Sequence, residues 1–105
     1  MPNKEQITVL FLDDNKINSL KGIPVLAQLE YINLRNNNIT SLAGMPELAQ
    51  LRWLYLENNN IDSLEGLSPF VRLTQLQELS LRGNKISEEE KEKIRAHFSG
   101  VRVVF

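Results

Sequence analysis

The sequence predicts an α/β fold of the solenoid type, in which similar short units of chain stack on one another. A pattern of the form apolar-x-x-apolar-x-Leu-x-x-Asn-x-Ile occurs four times in the 105 residues, beginning at Ile7, Leu29, Leu51 and Leu76. In the third copy, leucines alternate with Trp53, Tyr55 and Glu57 at the period of two that is typical of a strand. A helix-start signature and one further alternating stretch follow the fourth copy.

The spacing of the copies defines the units. The first two intervals between copies are equal, and the third is longer by three residues. Gly22, Gly44 and Gly66 recur at the shorter interval, and the extra residues of the third unit fall in the segment "GLSPFVRLTQ". We place them in a return segment between strands, because an insertion inside a strand would turn every later side chain to the other face. A unit of this length cannot bury its leucines alone, so the stacked units share one core.

The segment "SEEEKEKIRAHFSG" after the fourth copy predicts a helix over about 88–98. Ser87 and Glu90 form a capping box, and the glutamates of the first turn suit the positive end of the helix dipole. Gly100 lies just past the end, where helices commonly stop at glycine. The helix therefore takes the place of an ordinary return segment and closes the stack.

A final strand is predicted over about 101–105. Phe98, Val101 and Val103 fit the apolar positions of the template, and Phe98 follows Leu76 by the same interval that separates the first copies. With this alignment, Arg102 lies beside Ser80 in the neighbouring strand. The first strand has no such cover, so its open edge is exposed to pairing with other chains. Upstream chain, a second copy or the nearby charged residues are the three candidates for protecting it.

The repeat resembles the short subclass of the leucine-rich-repeat family, with units of about 22 residues, as in the regulatory subunit of protein phosphatase 1 and the bacterial internalins. The resemblance covers about residues 7–86 at full strength. It implies a right-handed solenoid with one short parallel strand per unit, giving a curved sheet of about five strands on the concave side. Turns and short helical pieces would lie on the convex side. Residues 1–105 are then a single leucine-rich-repeat domain with a C-terminal cap over about 87–105.

The repeated asparagines are expected to be structural. Where the chain leaves each strand, its backbone donors and acceptors lose their partners in the sheet. A buried amide side chain can serve both kinds of group, and the family gives this role to the asparagine of the template. The predicted ladder consists of Asn15, Asn37, Asn59 and Asn84.

Alternate residues of each strand are predicted to point out of the concave face, in three columns across the sheet. The first column is Val9, Tyr31, Trp53, Glu78 and Gly100. The second column is Phe11, Asn33, Tyr55, Ser80 and Arg102. The third column is Asp13, Arg35, Glu57, Arg82 and Val104. Neighbours within a column would lie about 4.8 Å apart.

Four of the seven aromatic residues, which we call the aromatic patch, occupy outward positions on three consecutive strands: Phe11, Tyr31, Trp53 and Tyr55. Together they would expose roughly several hundred Å² of apolar surface, near the upper end for a monomer. Tyrosine and tryptophan are also enriched in interface hot spots. The rings could alternatively pack on one another and stiffen the sheet. We favour binding, because self-packing on an open face would leave the ring faces in water.

The third column alternates in charge, through Asp13, Arg35, Glu57 and Arg82. It is either a ladder of salt bridges between strands or a charged rim that orients a partner. We favour the ladder for Asp13 and Arg35, and partner contacts for Arg82 and Arg102. The predicted partner-binding residues are Phe11, Tyr31, Asn33, Trp53, Tyr55, Glu57, Arg82 and Arg102.

These features favour a non-catalytic scaffold that binds a protein partner on the concave face. One alternative is a homodimer that hides this face or the N-terminal edge strand. Another is a small ligand, such as a sugar or a base, stacked on the aromatic rings. No catalytic residue, metal or cofactor is expected, because the chain has one histidine, no cysteine and no glycine-rich phosphate loop.

The composition sets further limits. The net charge of −1 argues against binding to nucleic acid or to an anionic membrane, since both need clustered positive charge. No run of about 18 apolar residues could span a bilayer, and the first ten residues lack the apolar core of a secretory signal. These features and the lack of cysteine predict a cytoplasmic location.

Overall fold

The computed structural model describes residues 6–63 and 73–105. Within them, five three-residue strands form one parallel sheet in the order of the sequence. The strands are β1 (Val9–Phe11), β2 (Tyr31–Asn33), β3 (Trp53–Tyr55), β4 (Glu78–Ser80) and β5 (Arg102–Val104). Each repeat therefore forms one coil with one strand, which confirms the predicted α/β solenoid.

In the described parts of the first three return segments there is little regular helix. A 3₁₀ helix over Leu20–Gly22 follows the first strand, and the Ser19 side chain caps it by accepting from the backbone N–H of Lys21. The predicted insertion in the third return segment, with Gly66 and Pro69, lies outside the described residues.

The helix α1 (Glu88–His97) forms the last return segment, within one residue of the predicted range. The Ser87 side chain accepts from the backbone N–H of Glu90 at 3.2 Å, as expected for the first half of a capping box. Gly100 has a φ of 86°, which reverses the chain into the last strand. The helix closes the core at this end through Ile94 and Phe98, which are 0% and 8% exposed.

The repeated apolar positions form the core. The buried residues of the second to fourth coils include Leu29, Ile32, Leu34, Leu51, Leu54, Leu56, Leu76, Leu79 and Leu81. In the first coil, the equivalent residues Ile7, Leu10 and Leu12 are only partly buried, because no described coil covers their outer side. The two ends of the described stack are therefore unlike: α1 covers one, and the leucines at the other are only partly buried.

The register of the first four strands confirms the predicted alignment. Tyr31 pairs with Val9 on one side and with Trp53 on the other, and Trp53 pairs with Glu78. The longer third interval leaves the register intact, so the extra residues lie outside the strands, as predicted.

The predicted register of β5 is wrong by two residues. Arg102 pairs with Glu78 and Val104 with Ser80, whereas the template had placed Gly100 beside Glu78 and Arg102 beside Ser80. The cause is the return through α1 and the turn at Gly100, which uses two residues more than an ordinary unit. A shift of two keeps each side chain on its predicted face.

Candidate functional site

One face of the sheet carries two of the large apolar residues that are exposed in the described ranges. Because side chains alternate along each strand, Val9 and Phe11 lie on the same face of β1, and they are 44% and 65% exposed. Tyr31, Trp53 and Tyr55 follow on this face in β2 and β3 and are half-buried. The aromatic patch is therefore continuous across three neighbouring strands.

Three of the four rings of the patch contact one another along diagonals of the sheet. The ring of Tyr31 lies 5.5 Å from that of Phe11 and 5.3 Å from that of Tyr55, and both pairs are tilted by about 50°. Phe11 and Tyr55 flank Asn33 in the register, so Tyr31 leans over Asn33. The short side chain of Asn33 leaves room for this ring.

Asn33 forms the floor of the patch. It is 6% exposed, and its Oδ1 atom accepts from the backbone N–H of Arg35 at 3.0 Å. Ser80 is similarly buried on β4, at 5% exposure. Among the predicted partner-binding residues, Asn33 is thus placed to support Tyr31 and has little surface of its own.

Trp53 lies in the middle of the sheet, between Tyr31 and Glu78 in the register. Its indole takes no part in the ring contacts of the patch, and within residues 6–63 and 73–105 its N–H has no hydrogen-bond acceptor. A half-buried indole with a free N–H offers both apolar area and a donor to an incoming group.

Arg35 is held between a carboxylate and a ring. Its Nε atom lies 2.8 Å from Glu57 Oε2, and its guanidinium carbon lies 4.6 Å from the centroid of the Tyr55 ring. A cation over a ring face is attracted by the ring quadrupole. Together these contacts fix Arg35 and Tyr55 in one arrangement.

Tyr55 is also held from the other side. Its hydroxyl donates to Oε1 of Glu78, and this hydrogen bond, with partial burial, raises the pKa of Tyr55 to about 12. Glu78 further lies 3.4 Å from Arg102 Nε, although the Arg102 side chain is 78% exposed.

The titration of Tyr55 tests this arrangement. The chain has two tyrosines, so in Tyr31→Phe the ultraviolet absorbance of tyrosinate reports Tyr55 alone. We expect a titration midpoint of Tyr55 at about pH 12, and a further Glu78→Gln substitution should lower this midpoint toward the ordinary value of 10.0. An equal midpoint in both variants would contradict the hydrogen bond.

The same shift makes the stability of the fold depend on pH. Because the pKa of Tyr55 is higher in the folded than in the unfolded chain, the hydrogen bond stabilises the fold below pH 10.0, and this contribution is lost between pH 10.0 and about 12.

The charged column forms only its central pair. Arg35 pairs with Glu57, but neither Asp13 nor Arg82 has a partner of opposite charge in the described part of the chain. Asp13 is half-buried and Arg82 is exposed. The ladder predicted for Asp13 and Arg35 therefore forms at Arg35, through Glu57, and is wrong for Asp13.

The asparagines of the template join neighbouring coils. Asn37 Nδ2 donates to the carbonyl of Leu34 in its own coil at 2.9 Å and to that of Leu12 in the preceding coil at 3.0 Å. Its Oδ1 atom accepts from the backbone N–H of Ile17, also in the preceding coil, at 3.1 Å. With a further bond from Nδ2 to the Arg35 carbonyl at 3.2 Å, one side chain thus serves four backbone groups where the chain leaves the sheet.

Asn59 and Asn84 repeat this arrangement between the later coils. Asn15 is different because no described coil precedes its own. Its Nδ2 atom donates only to the carbonyls of Leu12 and Asp13, and the side chain is exposed. The asparagine of the first coil therefore makes none of the bonds between coils.

A second ladder, which the sequence reasoning missed, lies beside the first. Asp14, Asn36 and Asn58 all have a φ near 58°, in the left-handed region, and Gly83 has a φ of 79°. Asn36 Nδ2 donates to Asp14 Oδ1 at 2.7 Å, and Asn58 Nδ2 donates to Asn36 Oδ1 at 3.0 Å. The available signal was that residues tolerant of this conformation recur just before each template asparagine.

The first coil, at the end of the stack that no described coil covers, contains an apolar recess of about 320 Å³. It is lined by Leu10, Leu12, Ile17, Ser19, Gly22, Ile23 and Pro24. In the described ranges, the large hydrophobic residues that are exposed, Val9, Phe11 and Val25, all belong to the same first coil.

Residues 6–63 and 73–105 contain no group of three or more potential metal ligands. No helix in these ranges is long and apolar enough to cross a membrane. The single histidine, His97, lies at the end of α1, with its ring 4.8 Å from that of Phe98.

Comparisons with known proteins agree with this architecture. A family model described as "Leucine-rich repeat" matches residues 2–104. A solved structure of a leucine-rich-repeat protein from Leptospira interrogans is 34% identical, with a TM-score of 0.77, and the match covers 94% of this chain. The same match covers 25% of the Leptospira protein, so the chain spans about a quarter of its length. None of the curated proteins compared with the sequence matches it.

Proposed function

Because the chain belongs to the leucine-rich-repeat family, we propose that it is a non-catalytic interaction module whose protein partner docks on the concave face. The observation that carries the proposal is the exposure of Phe11 and Val9 at the edge of a continuous aromatic patch. An apolar residue of the core would be buried, and an ordinary apolar residue of the surface would have no other apolar residues beside it. Here the exposed ring of Phe11 contacts that of the half-buried Tyr31, which in turn contacts that of Tyr55. Trp53, also half-buried, lies beside Tyr31 in the register.

The ring contacts within the patch support docking as well as stiffening. Tyr31 is fixed by Phe11 and Tyr55, and Tyr55 is fixed by Arg35 and Glu78. Rings that are already ordered lose little conformational entropy when a partner covers them. Phe11 still has 65% of its surface exposed after this packing, so self-packing does not account for the whole patch.

Replacing Trp53 by alanine tests the docking face. We expect Trp53→Ala to weaken partner binding at least about tenfold, or roughly 1.4 kcal/mol, with little change in folding. Partners captured on immobilised wild type and on the variant would be compared by quantitative mass spectrometry, and affinities then measured by calorimetry.

Val25→Ala is the matched control for this test. Val25 is an exposed apolar residue, at 67% exposure, but it lies in a return segment and not in the sheet. Binding should survive its replacement. If every captured partner tolerates Trp53→Ala as well as it tolerates Val25→Ala, the docking face has been assigned wrongly.

Self-association is the second candidate function. It is favoured by the first coil, whose apolar recess and β1 edge are not covered by any of the described residues. Light scattering over a range of concentrations separates the two. If the chain stays monomeric at high concentration, self-association is wrong. If it forms a dimer and Phe11→Ser dissociates that dimer, self-association is supported.

A further inference from the structure

We propose that the partner crosses the strands with a positively charged group at the Asp13 end of the face and a negatively charged group at the Arg82 end. Its apolar side chains lie between these groups, against the aromatic patch. This inference rests on the proposed function and specifies the chemistry of the partner.

The four residues of the charged column are consecutive neighbours along one edge of the sheet. The backbone N–H of Asp14 donates to the carbonyl of Arg35 at 2.9 Å, which continues the pairing of β1 and β2 past the end of the strands. Equivalent bonds from Asn36 to Glu57 and from Asn58 to Arg82 extend the same register. The row therefore runs Asp13, Arg35, Glu57 and Arg82 across four coils.

The charges in the middle of the face are already matched. Arg35 and Glu57 lie 2.8 Å apart and neutralise each other. Glu78 accepts from the hydroxyl of Tyr55 and lies 3.4 Å from Arg102. A partner group placed over this region meets charges that have partners within the protein.

The charges at the two ends of the row are not matched. Neither Asp13 nor Arg82 pairs with an opposite charge among the residues that the structure describes. Asp13 follows the exposed Phe11 by two residues on the same face, so a partner that covers Phe11 also removes water from Asp13. Covering an unpaired charge is costly unless the partner supplies the opposite charge there. The face thus favours a partner with a positive group at the Asp13 end and a negative group at the Arg82 end.

The distance between the ends limits the partner further. Asp13 and Arg82 are separated by three strand spacings, or about 14 Å. An extended peptide spans this distance with about four residues, and a helix with about nine. Either kind of segment has room for an apolar side chain over Phe11 and Tyr31 between its two charged groups.

Selection from a display library of random linear dodecapeptides tests the proposal on the whole chain. On the wild type we expect enriched peptides to carry lysine or arginine toward one end, aspartate or glutamate toward the other, and apolar residues between them. On Asp13→Lys the basic residue should give way to an acidic one, and on Arg82→Glu the acidic residue should give way to a basic one. Glu89→Lys, at a side chain that is 85% exposed on α1, changes the net charge by the same amount as Asp13→Lys and is its control; it should leave the selected sequences unchanged.

The affinities of the selected peptides for each variant measure the contribution of the two charges. Asp13→Lys or Arg82→Glu should weaken a wild-type peptide about fivefold, and reversing the facing charge in the peptide should restore binding. Asp13→Asn and Arg82→Gln remove one charge without adding repulsion. Each should abolish the preference for a charged peptide residue at its own end of the face and leave the preference at the other end. Circular dichroism melts confirm that each variant remains folded.

Two outcomes would overturn the proposal in different ways. In the first, the selected peptides need Trp53 but are the same for wild type, Asp13→Lys and Arg82→Glu. The proposed charge preference is then wrong, and the proposed docking face is retained. If wild type and Trp53→Ala enrich the same sequences, or if the wild type enriches none, both the proposed charge preference and the proposed docking face are wrong.

Discussion

Replacement of Asn59 by alanine is expected to lower the free energy of unfolding by about 3 kcal/mol. The Asn59 amide donates to the carbonyls of Leu34 and Leu56, both at 3.0 Å, and accepts from the backbone N–H of Ile39 at 3.1 Å. The side chain is 5% exposed, so water cannot take over these bonds. Each buried group left unpaired costs about 1–3 kcal/mol, and a fall of about 15 °C in Tm should follow.

Asn15→Ala is the internal control for this prediction, because the two asparagines hold the same position in the repeat. The exposed Asn15 makes no bond to another coil, so its loss should cost about 0.5 kcal/mol. Thermal melts and urea titrations of both variants measure the difference. Equal losses would show that the bonds between coils do not carry the stability assigned to them.

The repeat template predicted the interior of the molecule well because every interior coil has the same neighbours. Ile32, Leu54 and Leu79 are at equivalent template positions, and they lie side by side in the sheet. The family resemblance supplied the parallel order and the direction of stacking. Periodicity alone could show which residues share a face, but not how the strands connect.

The end of the chain departed from the template for a physical reason. The template treated the last return segment as one more unit of the ordinary length, which would have paired Val101 with Leu79, but Val103 is the residue that pairs there. A helix such as α1 has its own length and its own exit turn, at Gly100, and these set the register of β5. Apolar alternation cannot detect an error of two residues, because the same side chains still point inward.

The arrangement of the aromatic patch was only partly predictable. The alternation placed Tyr31 beside Trp53, which the backbone register confirms. The side chain of Tyr31 instead packs on diagonal neighbours, because small Asn33 leaves space between Phe11 and Tyr55. Rotamer choice depends on the volume of all surrounding side chains, which strand alternation alone does not specify.

Leu54→Ala is expected to be the most damaging single substitution, with a loss of about 4 kcal/mol. Leu54 is at the centre of β3, 1% exposed, between Ile32 of the preceding coil and Leu79 of the following one. Removing its side chain opens a cavity that both neighbouring coils line. The stability of a stacked-coil protein depends on contacts between adjacent coils, so two such contacts are weakened at once. Urea titration should show the lower midpoint.

Leu10→Ala is the matched comparison at the uncovered end of the stack. Leu10 pairs with Ile32 as Leu54 pairs with Leu79, but it has a described neighbour on one side only and is partly buried. We expect a loss of about 2 kcal/mol, half that at Leu54, because one contact between coils is weakened and the space opens to water. A loss at Leu10 equal to that at Leu54 would mean that the first coil is covered in solution, as a dimer through β1 would require. Repeating the Leu10→Ala melt at several protein concentrations decides this, since a dimer makes Tm rise with concentration and a monomer does not.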